Sequence, residues 1–275
     1  MTIKDVSQAG SFASRYGPWA VVAGASEGLG AAFARELADE GLNLLLLARR
    51  GQVLDELKAS LSSRSSVEIR TLAVDLGASD AARQVADAAM GLEVGLLVYN
   101  AAWSPIGRFV ERPVEDQLRA LDVNVRTPTA LAHHFGQAMA KRKRGGVVLL
   151  SSLTAFQGSP FVATYGATKA YNLALGESLW FELKEVGVDV LAVCPGVTKT
   201  PGLLKASPQG GPGMLEPEQV VREALAALGK RPFVVPGAFN RFASFFLRHL
   251  MPRRSTVSLM GNQTKKLLLP RAPIE

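Results

Sequence analysis

The chain has 275 residues, 48% hydrophobic and 20% charged, so it is long enough to bury a sizeable core and too apolar to be disordered except at its ends. Its one cysteine, Cys194, excludes an internal disulfide and lacks companions for a metal site; with no signal-peptide pattern and no run of about 18 apolar residues, a metal-free cytoplasmic protein is expected. The net charge of +7 is uneven, because residues 222–275 hold ten Lys or Arg against two Asp or Glu, whereas residues 1–221 hold 21 against 22.

From the N-terminus, "WAVVAGA" is an apolar run ending in glycine, and "LGAAFARELADEG" after it has apolar residues at helical spacing closed by Gly41. The spacing predicts one strand and one helix, and the unit repeats. "LNLLLLA" precedes a helix near 51–62, "VEIRTLAV" a helix near 79–90, "VGLLVYN" a long helical region near 114–142, and "GGVVLLSS" the helix that holds Tyr165; "VDVLAVC" closes the series. Unbroken apolar strands between helices predict an α/β doubly wound fold, a mostly parallel sheet covered on both faces. After Cys194 proline and glycine interrupt the alternation, and an irregular lid is expected over about 199–216. A helix near 217–229 and "FVVPG" follow, the latter expected as the seventh strand. The reading is one Rossmann-type domain over 1–238 and a basic C-terminal extension over 239–275.

Between the first strand and helix lies "GASEGLG", where a doubly wound sheet binds a pyrophosphate. Gly24, Gly28 and Gly30 let the backbone turn tightly and approach phosphate oxygens, whose charge the helix N-terminus stabilises. The second strand ends in "LLARR", without an acid. An acidic residue there would accept from a free ribose 2′-OH, whereas arginine neutralises a 2′-phosphate. Arg49, with Arg50 as a second donor, therefore points to NADP(H).

"TYGATKAYNLAL" puts Tyr165 and Lys169 four residues apart on one helical face. A phenol, with an ordinary pKa near 10, exchanges protons poorly at neutral pH unless a nearby cation favours its phenolate. With the glycine loop, "YNAA" at 99–102, Ser152 before Tyr165 in the chain, and "PG" at 195–196, the pair resembles the short-chain dehydrogenase/reductase family over roughly residues 18–235. That resemblance implies a catalytic tetrad. Tyr165 would exchange a proton with the carbonyl or alcohol oxygen, Ser152 would polarise it, Lys169 would tune the phenol and hold the nicotinamide ribose, and Asn124 would hold a water that feeds protons towards Lys169. The implied cofactor contacts are Gly24, Ser26, Gly28, Leu29, Gly30, Arg49, Arg50, Asp75 and Leu76 near the adenosine and phosphates, then Asn100, Tyr165, Lys169, Pro195, Gly196 and Thr198. Tyr99 and Ala102 depart from the family's N-N-A-G, and Thr198 stands where "PGxVxT" has valine; a shifted turn is expected at Ala102.

Substrate walls are expected from Trp103, Leu153, Phe156, Phe161, Val197, Leu203 and Leu204. Nearly all are apolar, which suggests a carbonyl or alcohol on a hydrophobic body such as an acyl chain, aromatic ketone or steroid-like ring. In "FNRFASFFLRHLM", Phe239, Phe242, Ala243, Phe246 and Leu250 share one helical face, with Arg241 and Arg248 opposite. Packing, a membrane-surface helix and a basic wall for an anionic handle compete as readings. Packing against the sheet domain or a second subunit is preferred, so a homodimer or homotetramer with little vesicle binding is expected. "KRKR" at 141–144 reads as a solvated helix end rather than a nucleic-acid patch.

Overall fold

A computed structural model describes residues 12–206 and 209–268; the ends of both expected segments, 1–11 and 269–275, lie outside the described residues. The sheet contains β1 (Trp19–Ala23), β2 (Asn43–Ala48), β3 (Ile69–Ala73), β4 (Val94–Tyr99), β5 (Gly145–Leu150), β6 (Val188–Val193) and β7 (Phe233–Val234). Their order is β3-β2-β1-β4-β5-β6-β7, and every neighbouring pair is parallel. All residues of β1, β4, β5 and β6 are buried, as expected of strands covered on both faces.

Alternate residues of each strand serve opposite layers. Leu44 and Leu46 pack in one core with Phe33, Leu37, Val220 and Val221, from α2 (Gly28–Asp39) and the helix over Pro217–Ala227. Leu45 and Leu47 pack in the other with Leu131, Phe135 and Met139. Numbered in chain order, the helices are α1 (Phe12–Tyr16), α2, α3 (Gly51–Ser62), α4 (Ala81–Ala88), α5 (Val114–Leu121), α6 (Thr127–Arg142), α7 (Ala163–Lys184), α8 (Pro201–Ala206), α9 (Pro217–Ala227), α10 (Ala238–His249) and α11 (Arg253–Leu268). The sheet order reverses between β1 and β4, and the loops leaving their C-terminal ends define the crevice where ligands bind in such folds.

Three differences from the sequence reading bear on the site. The expected helix over 114–142 is interrupted by a π-helical turn, Asp122–Arg126, at Asn124. The lid is partly ordered: α8 lies in it, and Thr198 and Leu215 form a parallel bridge at its base. The third difference is the orientation of α10. Its Asn240 and Ser244 are buried, whereas Phe239, Phe242, Phe245, Phe246 and Leu250 are exposed. The expectation that the phenylalanine face packs on the sheet domain is thus overturned. Polar groups hold the inner face instead: Asn240 Nδ2 donates to the Gly213 and Pro236 carbonyls, Arg241 reaches Glu223 at 2.8 Å, and the Arg248 guanidinium lies 4.1 Å from the Phe156 ring centre.

Candidate active site

The loop after β1 has the shape of an anion cradle. Gly24 has φ +80°, and a Cβ there would lie 2.7 Å from Ala101 Cα; a Cβ at Gly30 would meet the Gly24 carbonyl and lie 2.8 Å from Asn100 Nδ2. Only glycine keeps the loop this close to the turn after β4. Asn100 locks the two together by donating to the Gly24 carbonyl at 2.9 Å. The turn expected to shift at Ala102 does not require glycine, since Phe161 and Lys143 are the non-glycine residues with positive φ among the described residues. Tyr99, the other departure, sends its hydroxyl to the Val123 carbonyl at 2.6 Å and so braces the π turn. A phosphate-bearing dinucleotide fits this cradle, with the N-terminus of α2 beside it.

At the end of β2, Arg50 is held by Ser26 Oγ at 3.2 Å and by Glu27 at 2.8 Å. Arg49 is exposed and lies 5.5 Å from the centre of the Trp103 indole, with Arg119 5.0 Å from the same ring. Trp103, expected as a substrate wall, therefore stands beside the arginine and aspartate cluster. Arg119 binds both Asp75 oxygens, at 2.9 and 2.8 Å. Burial pushes the Asp75 pKa up, but Arg119 and the Gly77 amide outweigh it and hold the carboxyl below its ordinary range. Leu29 packs against the core and Leu76 is buried; the Leu76 carbonyl accepts from Thr127.

Beyond the cradle, the C-terminal end of β5 and the first turns of α7 bring the tetrad residues together. Gly176 allows α7 to lie close to β6, because a Cβ there would be 2.9 Å from that of Ala192. Lys169 is buried, donates to the Leu150 carbonyl at 2.6 Å, and has its Nζ 5.5 Å from the Tyr165 ring centre. Burial lowers its pKa to about 8, so it still carries its proton at neutral pH. Burial raises the pKa of Tyr165, and a hydrogen bond with Ser152 draws it back only in part. Ser152 itself opens a 3-10 turn and accepts from Thr154 N at 3.2 Å. Asn124 joins the loop after β4 to α7: Nδ2 donates to Trp103 O and Thr168 Oγ1, both at 2.9 Å, while Oδ1 accepts from Trp103 N at 2.8 Å.

The "PG" turn continues from β6, and the Pro195 carbonyl accepts from Leu153 N at 3.0 Å. Thr198 is buried and its hydroxyl donates to the Gly196 carbonyl at 3.2 Å. Thr200 faces the glycine loop, where a Cβ on Gly28 would lie 2.8 Å from its Cγ2. Sequence reasoning passed over Thr200, although it stands at the last threonine of "PGxVxT". Asn240 was also missed: a Cβ at Gly196 would lie 2.9 Å from its side-chain amide, so it joins the "PG" turn to the lid. Of the expected walls, Leu153 and Phe156 pack on a small core of Leu173, Ala192, Cys194 and Val235, and Phe156 meets Phe233 at 6.0 Å. Phe161, at φ 65°, accepts from Gly107 N at 2.8 Å, so it ties the loop before α7 to the loop after β4. Val197 lies against Gly211, and Leu203 and Leu204, half-buried, sit on α8 in the lid. Cys194 is buried, which pushes its thiol up to about 12.

A parallel sheet with a glycine cradle at the β1/β4 switch and a half-buried tyrosine over a buried lysine, beside a serine, defines a dinucleotide-dependent oxidoreductase. Residues 18–209 match the short chain dehydrogenase family, and the chain belongs to it. A 7β-hydroxysteroid dehydrogenase of Clostridium sardiniense is 33% identical over 234 residues, 84% of this chain and 90% of that protein. One of the same name from Collinsella aerofaciens is 34% identical over 233 residues, 82% of this chain and 89% of that protein. Among solved structures, a 7β-hydroxysteroid dehydrogenase superposes with a TM-score of 0.87 at 32% identity, covering 92% of this chain and 100% of the other.

Proposed function

We propose that this short-chain dehydrogenase uses NADP(H) to interconvert a ketone and a secondary alcohol on a hydrophobic, steroid-like body. The observation that carries the reading is the half-buried Tyr165 over the buried Lys169, with Ser152 at the phenol. Gly24, Ser26, Gly28 and Gly30 would hold the pyrophosphate, Arg49 a 2′-phosphate, and Asn100, Lys169, Pro195 and Gly196 the nicotinamide end. The bound nicotinamide supplies or accepts a hydride. In the direction of reduction Tyr165 gives its proton to the carbonyl oxygen, and burial favours this role by keeping the phenol protonated at neutral pH. Ser152 donates to the same oxygen as negative charge develops there. Lys169, held by the Leu150 carbonyl, offsets the charge left on the phenolate. Asn124 keeps the Trp103 loop in place; with both amide hydrogens committed to protein, it would hold a water through an oxygen.

The steroid-like choice among the three substrate bodies is supported by the names of the relatives. Oxidation of hydroxysteroids with NADP⁺ and reduction of ketosteroids with NADPH, beside oxoacyl thioesters and aromatic ketones, test it. Tyr165→Phe should lower kcat by at least about a hundredfold, the lower end for loss of a general acid, with NADPH binding kept. A variant as active as wild type would remove the mechanism, and turnover of the thioesters alone would remove the steroid assignment. A homo-oligomer is supported by the exposed Val114, Leu118 and Leu121 on α5 and Phe181 on α7, and a light-scattering mass above that of one chain is expected.

A further inference from the structure

Helix α10 is amphipathic in the reverse sense from a helix that covers a core. Asn240, Arg241 and Arg248 reach partners in the domain, and the buried Ser244 donates to the Arg241 carbonyl of its own helix. Phe239, Phe242, Phe245, Phe246 and Leu250 are left 57%, 72%, 57%, 41% and 65% exposed. At about 200 Å² for a whole phenylalanine, the ridge presents on the order of 500 Å² of apolar surface. That is near the upper end for the largest patch on a monomer and marks an interaction surface.

The ridge lies in a stretch of sequence of one charge sign. Between residues 222 and 268, Glu223 is the only carboxylate, and it is bound by Arg241 and the Gly237 amide. Lys230, Arg231, Arg253, Arg254, Lys265 and Lys266 are all exposed. We propose that α10 is a membrane-docking helix, seating its phenylalanine ridge in the interfacial layer of a bilayer with anionic headgroups. A second copy of the chain fits less well on two counts. The ridge falls short of the roughly 800 Å² per partner that stable protein pairs bury, and a two-fold contact would set this cationic region against itself. An anionic lipid surface takes both features at once, with about fivefold tighter partition for each Lys or Arg close to it. The expectation of little vesicle binding rests on packing of the ridge against the sheet domain or a second subunit, and the sheet domain leaves it exposed. The same helices border the site: Asn240 holds the lid at Gly213, and Val257 and Gly261 lie against Gly158 and Pro160 in the loop after Ser152. Docking would bring that rim to the lipid surface, and it depends on neither the cofactor nor the reaction.

The test is flotation of the full chain with phosphatidylcholine vesicles, alone or with about a third phosphatidylserine, over a salt series. Binding is expected with phosphatidylserine only, and it should weaken as salt rises. Phe242→Ser with Phe245→Ser, and separately Arg253→Ala with Arg254→Ala, should each reduce partition by about tenfold or more. All four residues are exposed, so both double variants should melt as wild type does; if one pair does not fold, the other still decides. No binding of wild type to anionic vesicles would overturn the proposal. So would undiminished binding of the phenylalanine pair, or a fall in its light-scattering mass showing that a second copy covers the ridge.

Discussion

Replacing Lys169 by methionine removes a charge that the fold buries at a cost. Its ammonium goes from an ordinary 10.5 to about 8, driven by burial. At about 1.36 kcal/mol per pKa unit, holding it protonated in the folded state costs about 3 kcal/mol at neutral pH. Methionine keeps the length and removes this cost, but it leaves the Leu150 carbonyl without its 2.6 Å donor, a loss of about 1–3 kcal/mol. The two effects oppose each other near neutrality, so the pH dependence is the discriminating quantity. Below 8 both folded and unfolded Lys169 are protonated and the full cost is present. Between 8 and 10.5 the folded state has released its proton while the unfolded state retains it, so wild-type stability rises with pH relative to the variant. Above 10.5 the cost is gone. From about pH 7 to pH 10 wild type should gain about 2–3 kcal/mol on Lys169→Met. Urea titrations of both proteins across that range measure the difference, and titrations common to both cancel. A difference that stays flat, or that moves towards the variant, would refute a depressed Lys169 and with it the idea that the phenol's neighbour is a desolvated cation.

Two further perturbations test the cofactor end and the loop before α7. Arg49→Ala should weaken NADPH by the share of a charged hydrogen bond, about 1.5–3 kcal/mol, and leave NADH nearly unchanged; equal losses in calorimetric titrations would remove the 2′-phosphate assignment. At Phe161, with φ 65°, glycine should be more stable than alanine by about 1 kcal/mol, the reverse of their order inside a helix. Thermal melts of Phe161→Gly and Phe161→Ala decide it, and an alanine variant at least as stable would show that this backbone is not strained.

The sheet could be read from the sequence because its strands are covered on both faces, and a short apolar run such as "LNLLLLA", set between helices, has the length of a strand buried on both sides. Tyr165 and Lys169 were readable for a local reason, since helical spacing alone puts them on one face. The glycine cradle was readable because backbone crowding, not side-chain chemistry, demands Gly24 and Gly30. What escaped depends on contacts distant in the chain. The π turn that presents Asn124 is braced by Tyr99, 24 residues away at Val123, and Trp103 stands between Arg49 and Arg119, which no local spacing reveals. For α10 the amphipathic axis was read correctly, whereas packing of its apolar face on the sheet domain was not. Periodicity states that a helix has two faces; which one meets the protein was decided by Gly213, Glu223 and Phe233, none of them in the helix.

The Asn240 amide has a practical consequence for segment exchange between relatives. A foreign lid with any side chain at position 213 would collide with Asn240, and a foreign tail without an amide at 240 would leave the Gly213 and Pro236 carbonyls lacking their donor. The transferable cassette therefore starts before Gly196 and ends beyond Asn240. Chimeras cut at the limits of either loop alone would separate a lock from its key.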